Sequence, residues 1–108
     1  MIKYLVKQPK HNELSDEKAF KIGRAKQYTC RKALDDNLYR DAGYIYAEDL
    51  NEVFAIGNTE PKKVEKIGKF YSISCGDIIV DTSKRFAYLV APIGFTLIKV
   101  DVSLGEAV

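Results

Sequence analysis

Residues 72–81 read SISCGDIIVD, in which a cysteine, a glycine and an aspartate lead into an aliphatic run. The stretch is either a loop that carries a nucleophile or a tight turn that feeds a core strand. A catalytic cysteine needs a base, usually a histidine, to form its thiolate. The single histidine is His11, in a polar segment near the start of the chain. We therefore favour the turn, in which Gly76 supplies a backbone conformation that other residues resist and Asp77 bonds nearby amides.

The length and composition of the chain indicate one folded domain, residues 1–108. A separate hydrophobic core takes roughly 100 residues, and 46% hydrophobic with 30% charged residues is typical of a globular protein. The apolar runs fall far short of the ~20 residues that span a bilayer, and the amino terminus lacks the apolar segment of a signal peptide. Cys30 and Cys75 form no CxxC pair, which favours a reducing compartment. We expect a cytoplasmic protein without a structural disulfide.

The first half of the chain predicts a strand, a long helix and a second strand. Residues 2–7 alternate in polarity with the period of a strand that has one wetter face. Ser15 offers a capping hydroxyl to a helix that we expect to run to about residue 34, with small side chains toward a sheet. Residues 37–43 then resemble a connection, and residues 44–47 a strand of aromatic and β-branched types.

The second half predicts a short helix and a β meander. Asp49 and Glu52 are spaced as in a capping box, and Gly57 is suited to end the helix that follows. Residues 58–69 are then a polar loop. The three remaining strands are expected at residues 77–81, 85–91 and 95–100. The order β-α-β-α-β-β-β favours an α+β fold, a twisted and mostly antiparallel sheet with one long and one short helix; a small, partly closed barrel is the alternative.

No group of residues has the spacing of a metal site or of a familiar catalytic motif. The two cysteines stand 45 positions apart and a single histidine accompanies them, which does not make a zinc site. The acidic pair at residues 35–36 lacks the spacing of a calcium loop. Phosphate-binding loops, nucleophile elbows and HExxH are absent from the sequence. We therefore predict no catalytic, cofactor-binding or metal-binding residues, and a protein that is not an enzyme.

Charge is unevenly distributed along the chain, although its net value is only +2. Residues 1–32 hold nine Lys or Arg against three Asp or Glu, whereas residues 33–60 hold one against seven. On one continuous helix, most of the cations and an aromatic residue of the basic third fall within a single arc. We call this arc the candidate interaction face, and it consists of Lys18, Lys21, Arg24, Tyr28, Arg31 and Lys32.

Three interpretations of the candidate interaction face remain open. It is an anchor for an acidic protein surface, with Tyr28 buried on binding, or it contacts nucleic-acid phosphates and stacks a base. It is otherwise a solvated face that keeps the protein soluble. A net charge of +2 is low for a dedicated nucleic-acid-binding domain, which favours the protein partner over nucleic acid. The acidic segment 35–60 would cancel the face if it packed against it.

Four short stretches carry a resemblance to a protein family. They are YIYAEDLNEVFAIGN at 44–58, SISCGDII at 72–79, AYLV at 87–90 and GF at 94–95. In this order they resemble small phage and mobile-element proteins that read approximately V-x-A-x-D-L-E-x-V-F, then N, S-L-S-V-G-D-V-I, Y-x-V and G-F, and they resemble the YodL-like domain. Cys75 stands where that pattern has Val, so the resemblance implies a small buried hydrophobe at this position. It implies a phage or mobile-element origin and no catalytic residues.

We therefore expect a small non-enzymatic interaction protein that binds and modulates a host protein in the bacterial cytoplasm. Its partner would present an acidic surface to the candidate interaction face. The alternative is a nucleic-acid-binding accessory or regulatory protein that uses the same helix, with an affinity that falls steeply as salt is raised. The sequence favours neither a monomer nor a dimer.

Overall fold

The computed structural model describes residues 1–104 as an open, six-stranded antiparallel sheet with helices on both faces. The strands are β1 (Ile2–Pro9), β2 (Tyr39–Ala47), β3 (Glu65–Lys66), β4 (Ile78–Asp81), β5 (Phe86–Val90) and β6 (Phe95–Lys99). The helices are α1 (Asp16–Gly23), α2 (Gln27–Asp35) and α3 (Leu50–Thr59), with short 3-10 helices at His11–Glu13 and Pro61–Lys63. The α+β prediction is confirmed, and the sheet does not close into a barrel. Residues 105–108 of the expected domain lie outside the described residues.

β1 lies inside the sheet although it comes first in the chain. The strand order is β3-β2-β1-β4-β5-β6, and every neighbouring pair is antiparallel. Successive side chains of a strand point to opposite faces. Leu5 and Val6 are therefore both buried, but they belong to two different cores.

The two cores lie on opposite faces of the sheet. On one face, Val53 and Ile56 of α3 pack with sheet residues that include Val6 and Ile79. On the other face, Ile22 of α1 and residues of α2 pack with sheet residues that include Leu5. The chain thus forms three layers, with α3 separated from α1 and α2 by the sheet. Among residues 1–104, no helix is both long and apolar enough to cross a membrane.

The basic third of the chain forms two helices, so the prediction of one long helix is wrong. α1 begins as expected, with Ser15 Oγ accepting a hydrogen bond from the Lys18 amide at 3.1 Å. It ends in a Schellman motif, in which the amides of Ala25 and Lys26 bond the carbonyls of Ile22 and Lys21. Ala25 adopts the left-handed conformation this motif requires, with a φ of 56°. The chain therefore turns, and α2 begins afresh at Gln27.

Three further boundaries differ from the sequence prediction. α3 continues through the buried Gly57, which was expected to end it, as far as Thr59. β2 begins at Tyr39, so residues 39–43 pair with β1 instead of forming a connection. Residues 65–66 lie in the predicted polar loop but form β3, which pairs with Gly43 and Tyr44. Arg40 and Asp41 are partly exposed, and Glu65 and Lys66 are exposed. Charged residues of this kind are weak strand signals, so the residue types do not indicate either strand. The final meander is confirmed, with slightly shorter strands than expected.

Candidate functional site

The SISCGDIIVD stretch is a turn that feeds β4, as the sequence predicts. Gly76 has a φ of 95°, and its amide donates to the Val90 carbonyl at 2.9 Å. A Cβ at this position would overlap the carbonyl of Ile22 in α1. Asp77 Oδ2 accepts hydrogen bonds from the Ser74 amide at 3.1 Å and from Gln8 Nε2 at 3.2 Å. Both predicted roles, the special backbone of Gly76 and the amide bonding of Asp77, are confirmed.

The cysteine of this turn differs from the expectation drawn from the resemblance. Cys75 is partly exposed rather than buried, because the turn packs Gly76, the next residue, against α1. Within residues 1–104 no hydrogen bond connects Cys75 to His11, which is exposed in its own 3-10 helix. Both cysteines are free thiols, and the described residues contain no cluster that could hold a metal ion.

Asp77 is a buried carboxyl whose surroundings favour its neutral form. Its residue is 5% exposed, and burial raises its pKa from 3.8 to about 6 even though the Ser74 amide and Gln8 act in the opposite direction. Tyr39 lies nearby and donates from its hydroxyl to the Gly76 carbonyl at 2.5 Å. Burial raises the pKa of this phenol, so it stays protonated.

Two side-chain amides hold the extended segment that precedes the turn. Gln8 donates to the Tyr71 carbonyl at 2.8 Å and accepts from the Tyr71 amide at 3.0 Å. Asn58 does the same for Ile73, with distances of 3.1 and 2.6 Å. Each amide presents one donor and one acceptor, as the backbone of a neighbouring strand would. No buried side-chain nitrogen or oxygen of the described residues lacks a hydrogen-bond partner, so the polar groups of this cluster are satisfied within the chain.

The candidate interaction face is divided between two helices and the turn that joins them. Four of its six members converge on a cleft of about 230 Å³ between α1 and α2, and these are Lys18, Lys21, Tyr28 and Lys32. Ser15, Glu17 and Thr29 complete the lining. We call this feature the α1–α2 cleft. A single helix would have spread these residues along one surface, whereas the turn at Ala25 brings them around a concave one.

Two large aromatic side chains lie exposed on these helices. Tyr28, in the cleft, is 79% exposed and Phe20, on α1, is 64% exposed. The guanidinium of Arg24 lies 5.6 Å from the centroid of the Phe20 ring, a cation–π distance. Phe20 is absent from the sequence prediction, although an aromatic residue among cations on a helix was the available signal. Exposed aromatic rings beside cations are characteristic of binding surfaces.

Ion pairs within the helices reduce the free charge of the candidate interaction face. Lys21 pairs with Glu17 at 3.2 Å and Lys32 with Asp36 at 3.5 Å. Arg31 does not line the cleft: it pairs with Asp35 at 3.4 Å and donates to the Ile98 carbonyl of β6 at 3.0 Å. Lys18 and Arg24 form no ion pair with the described residues. Arg31 is thus occupied by structural contacts, while the cleft keeps a net positive lining.

The acidic middle of the chain does not cover the α1–α2 cleft. Only its first members, Asp35 and Asp36, reach the basic helices, through the ion pairs of α2. The other acids belong to β2, to α3 or to the segments next to α3, and α3 packs on the opposite face of the sheet. The cleft is therefore open to a partner.

Comparison with known proteins finds no relative from which a function could be transferred. No family model, no curated protein and no solved structure matches this chain at a significant level. The resemblance to the YodL-like domain therefore stays a prediction.

Proposed function

We propose that this protein is a small non-enzymatic binding protein, of phage or mobile-element origin, that modulates a host protein by docking an acidic surface of it at the α1–α2 cleft. The observation that carries the proposal is the convergence of three lysines and the exposed Tyr28 on one concave surface. Lys21 and Lys32 already pair with Glu17 and Asp36, but Lys18 has no ion pair within the described residues and the lining stays net positive, so an acidic partner surface would complement it.

The aromatic side chains would supply most of the affinity and the cations most of the specificity. Tyrosine and phenylalanine bury about 150–250 Å² each and dominate interface energetics. Tyr28 and the helix surface around the cleft would supply a substantial part of the ~800 Å² per partner that stable complexes need. Phe20 is exposed on α1 but does not line the cleft. Lys18, which has no acidic partner within residues 1–104, is free to steer a carboxylate of the partner toward Tyr28.

The test compares two double variants of the whole protein. Lys18→Glu with Tyr28→Ala changes the cleft at the partly exposed Lys18 and the exposed Tyr28, neither of which belongs to a core, so folding should persist. Lys62→Glu with Tyr71→Ala makes the same chemical changes at exposed positions away from the cleft. Each protein, and the wild type, is used for affinity capture from bacterial lysate with and without nuclease. The affinity of the captured protein is then measured with purified components by calorimetry.

We expect one acidic protein that the wild type and the control variant capture in near-stoichiometric amount in both samples. The cleft variant should lose it, with an affinity reduced at least about tenfold, which corresponds to ~1.4 kcal/mol. Equal capture by both variants would remove the cleft as the docking site. If the captured protein is lost on nuclease treatment, the result would support the nucleic-acid alternative.

The ion pairs of the helices argue against that alternative. Nucleic-acid affinity grows with the number of phosphates that free cations neutralise. Lys21, Arg31 and Lys32 each already face a carboxylate one helical turn away. Within residues 1–104 only Lys18 and Arg24 of the face have no ion pair, which is a small footprint for phosphates, whereas a protein partner would also gain from burying Tyr28.

A further inference from the structure

The two edges of the sheet are built in different ways. β3, at one edge, is two residues long and consists of Glu65 and Lys66. Short, charged edge strands are a common protection against pairing with other chains. β6, at the other edge, has five residues, FTLIK, and no charge before Lys99. Among residues 1–104, one edge of the sheet is thus short and charged, and the other edge has unpaired backbone groups.

The free backbone groups of β6 can be identified from the ladder. Val90 uses its amide and its carbonyl toward β4, bonding Asp77 and Gly76. Its partner across β5–β6, Phe95, is therefore in a pair without hydrogen bonds. Because the pattern alternates in an antiparallel ladder, the N–H and C=O groups of Phe95 and Leu97 point to the open edge, and those of Thr96 point to β5. Farther along, Arg31 covers the carbonyl of Ile98.

Apolar side chains accompany these free backbone groups. Leu97 lies opposite Tyr88, and Tyr88 lies opposite the core residue Ile79, so the three share the face of the sheet that holds α3. α3 packs mainly over β2, at the other end of that face. Leu97 is consequently 47% exposed, next to the partly exposed Tyr88 and Phe86, whose rings lie 6.4 Å apart.

We propose that β6 pairs with β6 of a second copy of this chain, antiparallel and centred on Thr96, so that two six-stranded sheets become one. In this register Phe95 faces Leu97 of the second copy, and both exchange N–H···O bonds. The same pair recurs on the other side of the two-fold axis, as an isologous interface requires. The four outward groups of Phe95 and Leu97 are thereby all satisfied.

The side chains and charges of β6 suit a second copy as its occupant. Phe95 and Leu97 lie on one face, so each makes an aromatic–aliphatic cross-strand pair, which stabilises antiparallel strands. Within the paired strands no like charges meet, because β6 is uncharged up to Lys99. Asp35 pairs with that lysine and with Arg31, the α2 cation that lies at Ile98. A two-fold axis perpendicular to the sheet also leaves both α1–α2 clefts on the same side of the dimer. The inference does not depend on the function of the cleft.

The first test is the oligomeric state of the whole protein, followed by sedimentation from low to high micromolar concentration. The wild type should form a dimer in a concentration-dependent way. Leu97→Lys places a charge on the exposed edge and should give a monomer at every concentration. Ile67→Lys, at a residue of similar exposure away from β6, should dimerise like the wild type. A wild type that stays monomeric, or a dimer that survives Leu97→Lys, would overturn the proposal.

A crosslink tests the register independently of how the lysine variant folds. Cα atoms of a pair without hydrogen bonds lie about 4.5 Å apart, within the range that a disulfide spans. Thr96→Cys, combined with Cys75→Ser, should give a disulfide-linked dimer under mild oxidation, whereas Ser83→Cys in the same background should not. Absence of the Thr96→Cys crosslink would reject the register centred on Thr96.

Discussion

Gly76 is a single residue on which the turn and one helical layer both depend. Its backbone is left-handed, and it lies so close to α1 that only a hydrogen fits in place of a side chain. The Tyr39 hydroxyl bonds its carbonyl from a third element. The sequence indicates the first property, because glycine in a turn signals a positive φ, but the close approach to Ile22 depends on how α1 packs.

Replacing Gly76 by alanine should therefore cost more than an ordinary glycine substitution. The left-handed backbone and the overlap with the Ile22 carbonyl should together lower the free energy of unfolding by about 3 kcal/mol or more. Gly94→Ala is the matched control, because Gly94 also has a positive φ but open space around it. It should cost only about 1 to 2 kcal/mol. Urea unfolding measures the free energy of unfolding of both variants. An equal decrease in the two would contradict the close packing of the turn on α1.

The buried carboxyl of Asp77 should make stability depend on pH in an identifiable window. Its pKa is raised from 3.8 to about 6, so between these values the folded state holds a proton that the unfolded state releases. Stability should therefore fall as pH rises from about 4 to about 6, by at most about 3 kcal/mol. Asp77→Asn should flatten this part of the profile, because the amide oxygen still accepts from Ser74. Asp101→Asn, at an exposed position, should leave the pH dependence of stability unchanged. If the dependence persists in Asp77→Asn, another titrating group causes it.

At the scale of elements, the patterns that succeed are those with a local chemical cause. The capping hydroxyl of Ser15 and the cap at Asp49, whose carboxylate accepts from the Glu52 amide at 2.9 Å, both begin helices where expected. The sequence does not predict the break between α1 and α2, because Ala25 occupies the left-handed position that glycine usually marks. The predicted start of β2 is five residues too late, because Arg40 and Asp41 are poor strand signals. Pairing with β1, a tertiary contact, overrides that preference.

The candidate site was predictable in composition and not in shape. The distribution of charge correctly indicates the first third of the chain, and four of the six predicted residues meet in one cleft. The cleft itself requires the turn at Ala25. The role of Arg31 requires the bulge in the β5–β6 ladder, which leaves the Ile98 carbonyl for its guanidinium. A local turn that no glycine marks determines the cleft, and a contact between distant parts of the chain determines the role of Arg31.

The two hydrogen bonds between the Asn58 side chain and the Ile73 backbone should be the main support of the segment that enters the turn. Asn58→Ala removes both hydrogen bonds to Ile73, a buried residue, and should destabilise the protein by about 2 to 3 kcal/mol. Amide hydrogen exchange at Ile73 should accelerate more than exchange in β1. Thr59→Ala, which removes a bond to the Ala55 carbonyl on the exposed side of α3, should cost within about 0.5 kcal/mol. Unchanged exchange at Ile73 in the Asn58 variant would show that these hydrogen bonds are not what protects it.

For the whole molecule, the sheet is the layer that both cores share. β1 contributes Leu5 to one core and Val6 to the other, and its neighbours alternate in the same way. Neither helical layer can separate from the sheet without exposing apolar side chains of the same central strands. The molecule should therefore unfold as one unit.

Substitutions on the two sides of β1 test this cooperativity. Leu5→Ala should lower the free energy of unfolding by about 2 to 5 kcal/mol, and Val6→Ala by somewhat less. In both variants the loss of helical circular dichroism and of tyrosine fluorescence should coincide along the urea transition. Tyr28→Ala, at an exposed position, should leave the midpoint nearly unchanged. Transitions that separate in either core variant would show that one helical layer melts alone.

The interior position of β1 also has a consequence for synthesis on the ribosome. Tyr4 of β1 pairs with Asp81 of β4, and at about 5–20 residues per second the ribosome takes roughly 4 to 15 s to make the intervening chain. Until then, the nascent chain can pair β1 with β2 on one side only, and its other edge lies bare. Chaperones that bind unpaired strands therefore have their opportunity early, and the domain completes itself only when its final third emerges from the exit tunnel.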